Sequence, residues 1–110
     1  MTGSSGWLGR YLMPLLRGHG YDPVGLDVVA ADHTELVGSV ADAEFITGVF
    51  GQSAFDAVIH AAALHKPDIA RYPEQNFVDV NVTGTLNLLR AAKVQNCSRF
   101  VFTSTTSLMI

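Results

Sequence analysis

The residues best suited to chemistry begin at the N-terminus. Thr2-Gly3-Ser4-Ser5-Gly6-Trp7-Leu8-Gly9 places a glycine at every third position, and an apolar helical pattern follows. Such a loop brings backbone N–H groups close to a pyrophosphate and aims the positive end of the next helix at it. Gly3 would turn the chain out of a strand, Gly6 would admit the phosphates, and Gly9 would let the helix lie close to the sheet. The candidate contacts are Gly3, Ser5, Gly6, Trp7 and Leu8. The spacing is one residue longer than the commonest dinucleotide fingerprint and, taken alone, equally suits a flexible leader. Asp27 stands 18 residues after Gly9, at the end of a short apolar run. A carboxylate there accepts hydrogen bonds from the ribose hydroxyls of an adenosine and repels a 2′-phosphate, which favours NAD over NADP. The competing reading of Asp27 is a solvated loop acid.

Further candidates lie along the middle and end of the chain. Ala61, Ala62 and Ala63 leave an apolar strand at its C-terminal edge, where ligands bind in open α/β sheets. Small residues there let a ribose and pyrophosphate lie against the backbone, with Leu64 and His65 next along the path. His60, inside the strand, reads as a packed histidine with both ring nitrogens satisfied. Asn81 is polar on a largely apolar helix, and Thr103-Ser104-Thr105-Thr106-Ser107 is a hydroxyl cluster. Thr103 and Thr105 share a side if the strand continues that far. The four histidines and Cys97 show no metal-binding spacing, so no metal is expected.

Elements that could position these groups alternate along the chain. Strands are expected at 24–28, 35–38, 57–61 and 99–104, and helices at about 6–17, 43–50 and 74–95. In the first helix Leu8, Leu12, Leu15 and Leu16 form the apolar stripe. In the second it is Phe45, Ile46, Val49 and Phe50, and in the third Phe77, Val80, Gly84, Leu88 and Ala91. This alternation implies parallel βαβ units in a three-layer α/β sandwich with a doubly wound, Rossmann-type sheet. The 110 residues, 48% hydrophobic and 15% charged, suit one such unit and argue against disorder. A net charge of −3 with no basic run gives nucleic-acid binding no support. No apolar run is long enough to span a membrane, and a single cysteine points to a reducing compartment such as the cytoplasm.

Taken in order, the Thr2–Gly9 loop, Asp27, Val58-Ile59-His60-Ala61-Ala62-Ala63, Asn81-Val82-Thr83-Gly84-Thr85 and Phe100-Val101-Phe102-Thr103-Ser104-Thr105 resemble the extended short-chain dehydrogenases/reductases, the NAD-dependent epimerase/dehydratase family. The resemblance covers essentially the whole chain but only the first part of such an enzyme. It implies an NAD-dependent oxidoreductase or epimerase acting on a nucleotide sugar or a related hydroxyl or carbonyl substrate. It also implies that Asn81 lies near the nicotinamide ribose, that Thr103 lies on the cofactor side, and that Thr105 matches the catalytic Ser/Thr. Ser39 stands where the family often has an acid that binds adenine, and Val40 could add a backbone contact. Alternatively, Ser39 is a loop serine that caps the following helix. Family dimers, which would make the full-length form a homodimer, often use helices that include the one after the fourth strand.

Two departures qualify these implications. Only Met1 precedes Thr2, so the family's first strand is expected to be absent. In the family order 3-2-1-4-5-6, that leaves 3-2-4-5 with a gap and a glycine loop unanchored at its start. Fixing a free loop costs about 1–2 kcal/mol per residue, so weak NAD binding is expected. The catalytic Tyr-x-x-x-Lys pair is also absent: the fourth residue after Tyr11 is Leu15, after Tyr21 Gly25, and after Tyr72 Asn76. The 110 residues therefore read as a piece of a longer protein or a truncated product, inactive alone. A non-catalytic dinucleotide-binding or regulatory module is the alternative.

Overall fold

Four short strands and the helices between them follow the expected order. The computed structural model describes residues 1–105, so Thr106 and Ser107 lie outside the described residues. The elements are α1 (Trp7–Gly18), β1 (Leu26–Asp27), β2 (Leu36–Val37), α2 (Ala43–Gln52), β3 (Ala57–His60), α3 (Glu74–Phe77), α4 (Thr85–Val94) and β4 (Arg99–Phe102). A 3-10 turn (Lys66–Asp68) follows β3, and a π-helical stretch (Val78–Gly84) joins α3 to α4. β1 pairs in parallel with β2, and β3 in parallel with β4. Each strand is shorter than the sequence pattern suggests.

The gap expected between the two pairs is filled. Thr2 pairs in parallel with Leu26 on one side and with His60 on the other. Leu26 N donates to Met1 O at 2.8 Å, Thr2 N to Ile59 O at 2.9 Å, Gly3 N to Leu26 O at 2.9 Å, and Ala61 N to Thr2 O at 3.3 Å. Buried backbone donors and acceptors need partners, and one extended residue with its two neighbours supplies them to both edges. The order is therefore β2-β1-Thr2-β3-β4, and the glycine loop is anchored where it leaves the sheet.

This order fixes where the helices lie. From Thr2 the chain crosses through α1 to β1 in one direction, then returns through α2 from β2 to β3 in the other. Right-handed crossovers in opposite directions put the two helices on opposite faces, which makes the sheet doubly wound. The α2 and α4 side holds the core cluster of Leu26, Val40, Ile46 and Leu88, flanked by Phe45, Val49, Phe50 and Phe100. Gly84 is buried where a Cβ would come within 2.5 Å of Val40 Cγ2, the close approach expected of that stripe.

Two local expectations are corrected. In α1 the buried residues are Gly9 and Met13, whereas Leu15 is 56% exposed and Leu8 also faces outward. The helix must turn Gly9 to the sheet, and Met13, four residues on, follows it to the same face. The cap of α2 is Asp42, whose carboxylate accepts from Phe45 N at 3.0 Å, while Ser39 Oγ accepts from Ala41 N in the preceding turn.

Leu88 is 1% exposed at the centre of the core. Leu88→Ala is expected to cost about 2–5 kcal/mol through lost burial and the cavity left behind. Urea unfolding of both chains measures this difference.

Candidate functional site

The reversal of strand order at Thr2 puts a crevice at the C-terminal ends of the strands, where β-strand exits diverge. Gly3 leaves Thr2 at φ 75°, and a Cβ there would stand 2.8 Å from Ala61 C. The same glycine therefore meets a conformational need and a close approach. At Gly9 a Cβ would lie 2.5 Å from Gly3 O and from Ser4 Cα, so α1 can begin directly against the loop. No side chain caps the N-terminus of α1, and its first turn carries no acid. The N–H groups of that turn thus face the crevice with the helix dipole behind them.

A cavity of about 390 Å³ lies in front of this helix end. Its walls include Gly3, Gly6, Trp7 and Leu8 from the loop, Asp27 from β1, Ser39 and Val40 after β2, and Ala61, Ala62, Ala63 and His65 after β3. Asp27 is already employed: Oδ2 accepts from Ser5 N at 3.1 Å and Oδ1 from Val29 N at 3.0 Å. Each carboxylate oxygen retains capacity for another donor. Ser5 departs from the expectation of a cavity contact. Its buried hydroxyl donates to Val29 O and hydrogen-bonds Thr34 Oγ1 at 2.7 Å, behind the wall. Thr34 also hydrogen-bonds Ser4 Oγ at 2.6 Å, which ties the loop to the segment after β1.

A second cavity, of about 460 Å³, adjoins the first along Ala62, Ala63, Leu64 and His65. Asn81, Thr103 and Thr105 line it. β4 ends at Phe102, so the strand does not continue far enough to set Thr103 and Thr105 on one side. Instead, Thr103 N and Oγ1 both donate to His60 O, at 3.1 and 2.6 Å. The Asn81 amide is paired to the backbone of Leu64: Oδ1 accepts from Leu64 N and Nδ2 donates to Leu64 O, both at 2.8 Å. Asn81 thereby holds the loop that separates the two cavities.

His60 is buried with both ring nitrogens bonded, as its position in the strand suggested. Thr2 Oγ1 lies 2.7 Å from Nδ1, and Thr85 Oγ1 lies 2.8 Å from Nε2. Burial pushes the imidazole pKa below its ordinary value of 6.5. Among the described residues, no group of three or more His, Cys, Asp or Glu is placed to hold a metal ion. No helix there is long and apolar enough to cross a membrane. The hydroxyls of Thr2, Ser4, Thr34 and Thr85 were not legible as site residues. Thr2, Ser4 and Thr85 fall inside recognisable motifs and Thr34 does not.

With this geometry established, comparison with known proteins gives the class. The model of the NAD dependent epimerase/dehydratase family matches residues 1–109, and the chain belongs to that family. It is 31% identical over 112 residues to the UDP-glucose 4-epimerase of Rhizobium meliloti (strain 1021), across 96% of this chain and 34% of that enzyme. The chain thus spans about a third of the length of that relative. Among solved structures, a short-chain dehydrogenase/reductase superfamily protein from Agrobacterium tumefaciens with bound NAD superimposes with TM-score 0.80 at 33% identity. That match covers 96% of this chain and 31% of the other. The Thermus thermophilus UDP-glucose 4-epimerase in complex with NAD gives TM-score 0.83 at 24% identity over 94% of this chain and 36% of the other, a likeness of fold. The doubly wound sheet is of Rossmann type.

The buried imidazole makes stability depend on pH. Well above 6.5 the ring is neutral whether folded or unfolded. As pH falls through that value the unfolded chain takes up a proton first, because the folded pKa is lower, and stability declines. Thermal midpoints between pH 7.5 and 5 are expected to fall less steeply for His60→Leu than for the unaltered chain.

Proposed function

We propose that this chain is the cofactor-binding part of an NAD-dependent oxidoreductase or epimerase acting on a nucleotide sugar or a related hydroxyl or carbonyl compound. The observation that carries this reading is the uncapped N-terminus of α1 facing a cavity with Asp27 on its wall. The residues fit NAD. The Gly3–Gly9 turn leaves backbone N–H groups for the pyrophosphate, and Asp27 has free acceptor capacity for ribose hydroxyls and would repel a 2′-phosphate. The alanines after β3 leave room along the backbone. When bound, NAD would supply hydride acceptance; the chain's own residues bind and orient it. Ser39, Val40 and His65 line the same cavity as Asp27, and Asn81 lines the adjoining one, next to the loop the two cavities share.

In this reading the second cavity holds the reacting end of the substrate, with the Thr105 hydroxyl as the catalytic contact. A module that binds the dinucleotide in the first cavity without turnover is the second reading. Val82, Leu86 and Leu89 form an exposed apolar stripe on the helix after β3, which supports a homodimer of the full-length form. The single cysteine suits a cytoplasmic protein.

Calorimetric titration tests the cofactor assignment. NAD is expected to bind at least tenfold more tightly than NADP, and Asp27→Asn to narrow that gap by about 1.4 kcal/mol, a tenfold change. Equal affinity for both dinucleotides in the unaltered chain would refute the role given to Asp27. No NAD reduction is expected from these residues alone; turnover would overturn the second reading.

A further inference from the structure

We propose that His60 is a positioning residue: held between Thr2 and Thr85 as the Nε2–H tautomer, its ring joins the glycine-loop wall of the first cavity to the Asn81 wall of the second. The inference rests on reading the first cavity as the dinucleotide site.

Hydrogen-bond capacity fixes the direction of the chain. Thr2 Oγ1 accepts from Ala61 N at 3.2 Å and from Ala62 N at 3.1 Å. Ala61 N divides its one hydrogen between this oxygen and Thr2 O at 3.3 Å, Ala62 N donates to Oγ1 alone, and the one proton of Thr2 Oγ1 is left for His60 Nδ1. Nδ1 is therefore the acceptor and Nε2 carries the ring hydrogen, which it donates to Thr85 Oγ1. Thr85 Oγ1 donates its own hydrogen to the Asn81 backbone carbonyl at 2.7 Å. Asn81 in turn holds Leu64 by both amide atoms. The hydrogen bonds run from the Ala61–Ala62 amides to the Asn81 carbonyl, and the Asn81 side chain carries the link on to the Leu64 loop. The His60 carbonyl separately receives Thr103. The rings of Phe100 and Phe102 flank the imidazole, with centroids 6.2 and 5.8 Å from it. An imidazolium would place a second N–H against a Thr2 oxygen that already accepts from Ala62 N and shares the Ala61 N–H, so the arrangement suits the neutral ring.

A residue that merely fills the core would do so without transmitting anything from Thr85 to Ala62. Amide hydrogen exchange and ring ¹⁵N shifts separate the two roles. In the free chain at pH 7.5, the ¹⁵N shifts are expected to report the Nε2–H tautomer. Thr85→Val, which leaves Thr2 and His60 in place, is expected to speed exchange at Leu64 N–H at least tenfold and at Ala62 N–H at least threefold. In a His60→Leu background, the same Thr85→Val change should leave Ala62 unaffected. NAD affinity, measured by calorimetry, should fall at least fivefold in His60→Leu. His60→Asn, whose oxygen can still accept from Thr2, should recover part of that loss. An Nδ1–H tautomer, or a Thr85→Val effect confined to Leu64, would overturn the proposal. If the unaltered chain fails to bind NAD, the proposed function fails, while the shifts and exchange rates in the free chain still decide the part of His60. If His60→Leu does not fold, Thr85→Val and the ring shifts decide it.

Discussion

The structure depends on one residue pairing in two directions. Thr2 closes the sheet between β1 and β3, and its backbone bonds fix where Gly3 leaves the plane. Its side chain adds a second constraint, because Oγ1 receives the amides of Ala61 and Ala62. The loop that starts the chain and the loop that follows β3 are thus held to one oxygen. These are the two loops that a dinucleotide would have to touch at a strand-order reversal. A glycine loop without this attachment would bear the entropy of ordering itself on binding; held this way, it has largely been ordered by folding.

The electrostatics of the crevice follow from the same arrangement. The first turn of α1 offers unpaired donors to one end of the cavity, and Asp27 offers acceptors at another. Asp27 holds Ser5 N and Val29 N, so the carboxylate is kept in place by the loop it serves. On the proposed reading, binding would need little rearrangement, and discrimination between dinucleotides would reduce to whether a 2′-phosphate meets a fixed negative charge.

Much of this was legible in the sequence, for identifiable reasons. Apolar runs and helical spacing give the order of elements, and Gly3, Gly6, Gly9 and Asp27 lie at separations that local geometry dictates. The stripe in α2 was readable because Phe45, Ile46, Val49 and Phe50 are large and have no competitor on that helix. In α1 the apolar residues outnumber one face, and the close approach of Gly9 decided the rotation. The place of Met1 and Thr2 in the sheet was not legible, because two residues carry no periodicity. Hydroxyl partners such as Thr34 for Ser4 and Ser5, or Thr85 for His60, are set by contacts between segments distant in sequence. The π-helical stretch that carries Asn81 likewise has no local signature.

The most direct test of a preformed dinucleotide crevice is to map backbone amide shifts while NAD is added to the ¹⁵N-labelled chain. The expected result is a set of saturable shifts confined to Gly3, Gly6, Trp7, Leu8, Asp27 and the Ala61–Leu64 segment, with the core amides of α2 and α4 unmoved. Shifts spread throughout the chain would show that the site forms only on binding. Shifts confined to the surface of α2 and α4 would place the ligand elsewhere, and either pattern would contradict a crevice preset by Thr2.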